Sequence, residues 1–285
     1  MGIHALPIYA LHLADNALVL GHRNSEWTGY GPILEQDIAL SNIALDQIGQ
    51  ARYLYQHAAR LMNEGAAAQG GGSVTASRSV AGGSVAEAGG ITAAGGVTPV
   101  TEDSLAYGRD AWDFRNCLLA EQANGDWGKT ILRQFFFSAW QFFFYEQLQH
   151  SRDSELAAIA EKSHKEVIYH LRWSSEWVIR LGDGTAESHS RMGKAMDDLW
   201  KYTGELFSPA DYERKLSAPG IAVDLAVIRP LWEERVQEVL MAARLGGQRS
   251  DWMQTGGKQG RHTEQLGYLL AEMQFLQRAY PNCEW

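Results

Sequence analysis

The sequence contains little cysteine and no excess of positive charge. Cys117 and Cys283 are the two cysteines among 285 residues, too few for a zinc ligand set or a disulfide framework. Lys and Arg number 25 against 34 Asp and Glu, which gives a net charge of −9. This charge has the wrong sign for a protein that binds the phosphate backbone of nucleic acids. The composition therefore argues against zinc-finger, disulfide-stabilised extracellular and nucleic-acid-binding proteins.

Long apolar runs are also absent. The most apolar stretch, residues 135–145, is interrupted by Ser138 and Gln141, and a membrane span needs about 20 apolar residues. Near the start of the chain, His12 and Asp15 interrupt the apolar core that a signal peptide requires. We therefore expect no membrane association and a cytoplasmic location, which also suits the low cysteine content.

Helical periodicity, rather than the alternation of β-strands, runs through most of the chain. Leu34, Ile38, Leu45 and Ile48 recur at helical spacing and predict a helix over about 32–62. Such a helix would be roughly 45 Å long, which suits a helix bundle. Further predicted helices cover 104–121, 127–150, 154–181, 188–207, 224–245 and 263–279. We predict an all-α fold with a four-helix core and additional C-terminal helices.

The helix that contains residues 135–145 is unusually aromatic, with eight aromatic side chains in eleven positions. A helix that is apolar on every side has to be covered on every side. Two compatible interpretations follow: a central helix of the core, which we favour, or a helix at an obligate subunit interface.

One segment, residues 65–101, differs in composition from the rest. It consists mainly of Gly, Ala, Ser and Thr, contains no aromatic residue and repeats the triplet Ala-Gly-Gly at 81, 88 and 94. Such a segment buries too little apolar surface to offset the entropy lost on ordering. We interpret it as a flexible surface insertion in a single domain that spans residues 1–285.

Four-helix bundles often contain a di-metal carboxylate centre, and the sequence lacks its motif. That centre needs a Glu from each of two helices and a Glu-x-x-His from each of the other two, but no Glu-x-x-His occurs here. In the predicted helix over 32–62, Asp46 is followed three residues later by Gly49. In the predicted helix over 154–181, which we take as the fourth helix of the core, Glu166 is followed by Tyr169, with His170 one place further on.

The remaining ionisable candidates leave two interpretations open. Asp15, Asp46, Glu166 and His170 could bind two metal ions in an altered geometry. The alternative, which we favour, is a buried hydrogen-bonded or charge-paired network in which Arg52 supplies a compensating charge. The sequence therefore predicts degenerate bundle-core positions rather than a metal site.

Residues 255–264 form the remaining local feature, because the sequence contains no nucleophile elbow and no dinucleotide-binding motif. Lys258, Arg261 and His262 stand among glycines, just before a helix that Thr263 could cap. Three interpretations are open: a tight connection that docks the last helix, a contact for a partner protein, or an anion site.

Three long segments resemble one protein family. They are LADNALVLGHRNSEWTGYGPILEQDIALSNIALDQIGQAR near the N-terminus, EVIYHLRWSSEWVIRLGDGT in the fourth predicted helix and TGGKQGRHTEQLGYLLAEMQFLQRAYPNCEW at the C-terminus. All three are similar to the C subunit of phenylacetyl-CoA epoxidase, the PaaC-type proteins of phenylacetic acid degradation. The resemblance covers nearly the whole chain except 65–101, which looks like an insertion.

The resemblance implies a ferritin-like fold and a role in aerobic phenylacetate catabolism. In that family the complex epoxidises the aromatic ring of phenylacetyl-CoA with O₂ and electrons from NADPH. The di-iron centre lies in the homologous A subunit, and a reductase with FAD and an iron–sulfur cluster delivers electrons transiently. The C subunit pairs with A, beside a small B-type subunit, and is regarded as structural.

For this chain the resemblance therefore implies no catalytic residue and no cofactor or metal of its own. Two other functions stay open at this point. One is an independent di-iron carboxylate oxygenase or ferroxidase, and the other is the equivalent subunit for another aryl-CoA.

Overall fold

Most helices predicted from the sequence are present in the structure, but three differ from the predicted ranges. The predicted helix over 188–207 ends at Leu199 and continues as short 3₁₀ turns, the one over 263–279 is interrupted at Gln274, and the one over 104–121 is interrupted near its middle. The computed structural model describes residues 5–68, 99–247, 249–281 and 283. Over these residues it contains eleven α-helices and no β-strand. The α-helices are α1 Ala5–Ser25, α2 Leu34–Ala68, α3 Glu102–Tyr107, α4 Leu118–Glu121, α5 Trp127–Leu148, α6 Ser154–Gly182, α7 Ala186–Leu199, α8 Asp211–Ser217, α9 Leu225–Ala242, α10 Glu264–Met273 and α11 Phe275–Ala279.

The four longest helices of the first two-thirds of the chain form the core. Helix α1 packs along α2, α5 packs along α6, and α2 contacts α6 to join the two pairs. Helices α7 and α9 cover α5, while α8 and α10 contact α1. This is the all-α, ferritin-like four-helix bundle with additional C-terminal helices that the sequence and the resemblance predict. Among the described helices, none is long and apolar enough to cross a lipid bilayer.

Helix α5 is a central helix of this core. Phe135, Phe136 and Phe137 are fully buried, and the Trp140 and Phe144 rings stack with their centroids 4.4 Å apart. The covering helix α9 is tied to α5 because the Trp232 indole N–H donates to the Phe136 carbonyl over 3.0 Å. The aromatic residues thus pack within the chain itself, as the favoured interpretation predicts.

The predicted helix over 104–121 is wrong, because this stretch is broken in the middle. Helix α3 ends at Gly108, where an added Cβ would lie 2.7 Å from the Ser104 carbonyl oxygen. Residues 108–117, which we call the crossing segment, contain only a short 3₁₀ turn, Ala111–Asp113.

The crossing segment loses helical hydrogen bonds but gains partners on α1. The backbone N–H of Arg115 donates to the Asp15 carboxylate over 2.7 Å, and that of Cys117 donates to Asn16 Oδ1 over 2.7 Å. His12 Nδ1 donates to the Arg115 carbonyl over 2.7 Å. Buried polar residues of α1 therefore satisfy the backbone that leaves the helix, which local periodicity does not reveal.

Both ends of the Gly/Ala-rich segment 65–101 are ordered parts of the fold, although its composition predicts a flexible insertion over its whole length. Helix α2 continues to Ala68, six residues past the expected end near 62. On the other side, Asn63 both donates to the Val100 carbonyl and accepts from the Val100 N–H, each over 2.9 Å. Residues 65–68 and 99–101 are thus tied to the fold, and the predicted flexibility of 69–98 lies outside the described residues.

We expect residues 69–98 to be dispensable for folding. The bonds between Asn63 and Val100 bring the two flanks of this segment together. Ala68 lies only about 8 Å further along α2 than Asn63, so a linker of six Gly and Ser residues is long enough to join Ala68 to residue 99. The linker variant should melt within about 2 °C of the full chain. Asn63→Ala, which removes both bonds, should lower the melting temperature by about 2–4 °C in the full chain. If the linker variant loses more in melting temperature than Asn63→Ala does, residues 69–98 contribute to folding and the prediction is wrong.

Candidate functional site

The interior of the four-helix core is polar, but its side chains are amides. Gln47 and Gln50 lie three residues apart on α2 and are both buried. Asp46 and Gly49, one position earlier, are only half-buried. The inward-facing pair on α2 is therefore Gln-x-x-Gln, at the spacing where a di-metal protein carries Glu-x-x-His. This pair was not predicted from the sequence because only charged residues were considered as candidates. Its spacing of three residues, which is the spacing of the expected ligand motif, could have identified it.

A first amide cluster joins α1, α2 and α5. The Asn24 amide donates to Gln47 Oε1 over 2.9 Å and to Gln134 Oε1 over 2.6 Å. Gln134 in turn donates to the Ser138 hydroxyl over 2.7 Å. Beside this cluster lies the buried Arg133 guanidinium, which donates to Asn24 Oδ1 over 3.4 Å. Burial and the nearby Arg23 lower the pKa of Arg133 to about 9, so this side chain still carries its charge at neutral pH.

A second amide cluster joins α2, α5 and α6. Gln50 Oε1 accepts from the Tyr145 hydroxyl over 3.2 Å and from the Gln141 amide over 3.4 Å. Gln50 Nε2 donates to Glu166 Oε2 over 2.9 Å. Burial and then the charge of Glu166 act to raise the pKa of Tyr145, which therefore stays a neutral donor.

The sequence-predicted residues do not form one network. His170 on α6 donates from Nε2 to Asp46 on α2 over 2.9 Å, while Glu166 binds Gln50 as described above. Asp15 lies in a separate cluster of its own on α1. The predicted network of four residues is therefore wrong as a unit, because successive helical turns direct these side chains to different neighbours.

Asp15 is held by a buried ion pair with the crossing segment. The Arg109 guanidinium donates to both carboxylate oxygens of Asp15, and the Tyr55 hydroxyl donates to Oδ1 over 2.5 Å. Arg52, which was expected to compensate a buried charge, is instead 69% exposed and lies 3.8 Å from Glu102. The compensating cation comes from Arg109, ninety-four positions away along the chain.

These residues do not fit a di-iron centre. Among the described residues, no three His, Cys, Asp or Glu side chains come together in a way that could hold a metal ion. The buried oxygens of Gln134 and Gln50 already accept hydrogen bonds, and neutral amides cannot balance the charge of two metal ions. The nearby charge of Arg133 also opposes a cation. The interior is built for hydrogen bonding among neutral side chains.

The segment 255–264 is docked by buried carboxylates. Lys258 is 1% exposed, and its ammonium donates to the two oxygens of Glu213 over 3.1 and 3.0 Å. Burial opposes the charge of Glu213, but the Lys258 ammonium, together with His12 and the Ala210 backbone N–H, holds the pKa of Glu213 below its ordinary value. Glu205 accepts from the backbone N–H groups of Gly256, over 2.8 Å, and of Leu118, over 2.7 Å.

His262 is fixed in the same way by Glu121. Its Nδ1 donates to Glu121 over 2.7 Å and its Nε2 donates to the Phe114 carbonyl over 3.0 Å. Burial alone would lower the pKa of His262, but the bond and the charge of Glu121 raise it above the ordinary value. Glu121 also accepts from the Thr263 backbone and hydroxyl, over 2.7 and 2.8 Å.

Of the three interpretations of this segment, the tight connection fits the contacts best. The charges of Lys258 and His262 are paired inside the fold, so the structure gives no support to a contact of these two residues with a partner or an anion. Arg261 is exposed and is the one member of the predicted trio whose side chain faces solvent. The carboxylates that hold the segment are far away in sequence, so no local signal marks them.

The amide interior predicts intolerance of an added carboxylate. Gln50→Glu places a second carboxylate against Glu166 in a buried site, and we expect a loss of about 3 kcal/mol in the free energy of unfolding at pH 7.5. Gln50→Met, which has a similar size and no charge, should lose about 1–2 kcal/mol. Urea denaturation measures both. If Gln50→Glu is at least as stable as Gln50→Met, the interior tolerates a second carboxylate, and the interpretation of the interior as one built for neutral side chains is wrong.

The pair formed by Lys258 and Glu213 predicts a pH-dependent contribution to stability. Lys258→Met leaves Glu213 buried without a cation and should cost about 3–5 kcal/mol, whereas adding Glu213→Gln should restore part of this loss. Since the pKa of Glu213 lies below 4.5 in the folded chain, the contribution of the pair is present above pH 4.5. It is lost as the pH falls through the lowered value. Urea denaturation between pH 2.5 and 8 measures this loss. A double variant less stable than Lys258→Met would contradict the pairing.

Comparison with known proteins agrees with this architecture. A family model described as phenylacetic acid catabolic protein matches residues 3–77 and 84–285. The match thus extends into most of the Gly/Ala-rich segment, which the resemblance of the motifs left out. The chain is also 41% identical over 283 residues, 99% of its own length and 100% of the relative, to the C subunit of 1,2-phenylacetyl-CoA epoxidase from Escherichia coli (strain K12). The chain therefore belongs to the phenylacetic acid catabolic protein family.

Proposed function

We propose that this chain is a non-catalytic, structural subunit of a phenylacetyl-CoA epoxidase complex. Its relative in Escherichia coli is the C subunit of 1,2-phenylacetyl-CoA epoxidase. In this proposal the chain pairs with the homologous di-iron A subunit and stabilises it. A small B-type subunit and a reductase with FAD and an iron–sulfur cluster complete the complex.

The observation that carries the proposal is the amide interior. Gln47 and Gln50 occupy the inward positions of α2, and both are hydrogen-bonded to other neutral side chains of the core. The carboxylates Glu166 and Asp15 of the core helices are bound by Gln50 and by Arg109. The described residues bring together no group of three ligands that could hold a metal for activating oxygen. The reaction is therefore assigned to the partner subunit.

The same interior explains how the chain would act as a scaffold. Buried amides that satisfy one another hold four helices together without a bound ion. The aromatic helix α5 is enclosed by α6, α7 and α9, which bury its ring side chains against neighbouring helices. A subunit that is rigid in the absence of metal presents the same surface to its partner at every stage of iron loading.

Iron loading followed by desalting tests the proposal. The purified chain and the purified A subunit are incubated separately with Fe(II) under anaerobic conditions, desalted and analysed for iron. We expect close to zero iron in this chain and about two irons in the A subunit, the positive control. About two irons in this chain would overturn the proposal in favour of an independent di-iron oxygenase or ferroxidase.

Co-expression with the A subunit tests the structural half of the proposal. We expect the two chains to elute together at micromolar concentration, and the A subunit alone to melt at a lower temperature than in the complex. Separate elution at micromolar concentration would contradict a stable pairing.

A further inference from the structure

The outer side of α2 carries large apolar side chains that nothing in the described part of the chain covers. Leu34, Ile38 and Leu45 are 72%, 50% and 67% exposed. Tyr30 and Ile33, in the turn before the helix, are exposed as well. We call these five residues the docking face. Single exposed apolar residues are common, but five along one short stretch are not.

Helix geometry places the docking face on one side of α2. Leu34 and Ile38 are four residues apart and Ile38 and Leu45 are seven apart, so all three point in similar directions over about 17 Å of helix. The other side of α2 packs on the core through Leu40 and Ile43, both 0% exposed. The helix is therefore apolar on two sides, which the fold of this chain alone does not require.

The charges around the docking face have one sign along α2. Between residues 34 and 51, the helix carries Glu35, Asp37 and Asp46 but no Lys or Arg. The Asp46 side chain is 38% exposed, next to Leu45. Its ion-pairing partner is His170, which lies on its buried side. The exposed Lys162 of α6, which donates to the Tyr53 hydroxyl over 3.1 Å, interacts with Asp46 through charge alone.

The exposed part of Asp46 restricts what can cover this face. An apolar surface placed over a half-exposed carboxylate removes its water and is unfavourable unless a cation replaces that water. Access is open, since an added Cβ on Gly49, one turn along from Asp46, would meet no atom within 4 Å. A long basic side chain from a partner can therefore reach the carboxylate.

We propose that the docking face binds an apolar helical surface of a protein partner that places a lysine or arginine opposite Asp46. The proposal rests on the proposed function, so this partner is the iron-bearing A subunit. A second copy of this chain fits less well because it would bring two acidic faces together. An anionic membrane surface fits less well for the same reason.

Affinity measurements with a matched control test the apolar part of the proposal. The variant with a changed docking face carries Ile38→Glu and Leu45→Glu, and its Kd for the purified A subunit is measured. The control is Val227→Glu with Met241→Glu on α9, whose side chains are 50% and 66% exposed, as Ile38 and Leu45 are 50% and 67% exposed. We expect the variant with the changed docking face to raise the Kd by about 100-fold or more and the control to stay within about twofold of wild type.

The outcomes separate the two proposals. If wild type does not bind the A subunit, the proposed function fails, and the docking proposal fails with it. If wild type binds and the two double variants bind equally well, the docking proposal alone fails. Melting temperatures of both variants confirm that they are folded, and Ile38→Ala with Leu45→Ala provides a milder change at the same positions. Concentration-dependent self-association of wild type that Ile38→Glu with Leu45→Glu abolishes would show that a second copy covers the face, and would overturn the proposal.

The salt dependence of binding tests the charged part. Asp46→Asn keeps an oxygen that can accept from His170 but removes the charge, so the Kd should rise about tenfold at low salt and depend less on NaCl concentration. The control is Glu234→Gln, at an exposed position of α9, which should leave the affinity and its salt dependence unchanged. Equal salt dependence in wild type and Asp46→Asn would overturn the assignment of a cation opposite Asp46.

Discussion

The buried ion pair between Asp15 and Arg109 holds distant parts of the chain together. It fastens the crossing segment to α1, and Tyr55 of α2 donates to the same carboxylate. The crossing segment then receives the C-terminal part of the chain, because the His262 imidazole donates to the Phe114 carbonyl. One pair thus links two core helices, an irregular segment and the C-terminal helices, so its loss would affect all of them.

Buried carboxylates of the described residues cluster around the C-terminal segment and at Asp15, whereas the core helices carry mainly amides, with the buried cation Arg133 beside them. The carboxylates of Glu121, Glu205 and Glu213 each meet several donors around the C-terminal segment. The inward positions of the core helices instead carry amides such as Gln47 and Gln134. Both arrangements give most of their buried polar groups a partner, although Gln141 Oε1 and Arg133 Nε have none among the described residues. The amides differ from the carboxylates in that they need no counter-ion. This distribution supports the proposal that the reaction of the complex takes place in another subunit.

Sequence reasoning reached the bundle and its long helices because these follow from the periodicity of residues such as Leu34 and Leu45. It failed over 104–121, where backbone groups bind side chains of α1 about 100 positions away, since local pattern holds no information on such contacts. The positions of Gln47 and Gln50 could have been predicted, because their spacing alone identifies them. The burial of Lys258 could not have been predicted, because it depends on Glu213, which lies 45 positions earlier in the sequence.

Helix α2 connects the neutral interior with the surface proposed for the partner. Its inward residue Gln50 binds Glu166, and its outward residue Asp46 binds His170, so two polar bonds hold α2 to α6 near the middle of both helices. A partner seated on Leu45 would press against a helix that is fixed from behind by these bonds and by α1. Little conformational freedom remains to be lost there when the partner binds, which favours association. In the proposed function, the hydrogen-bonded amides on the inner side of α2 and the exposed apolar face on its outer side would serve one role, because a bundle made rigid from within would support a partner bound outside.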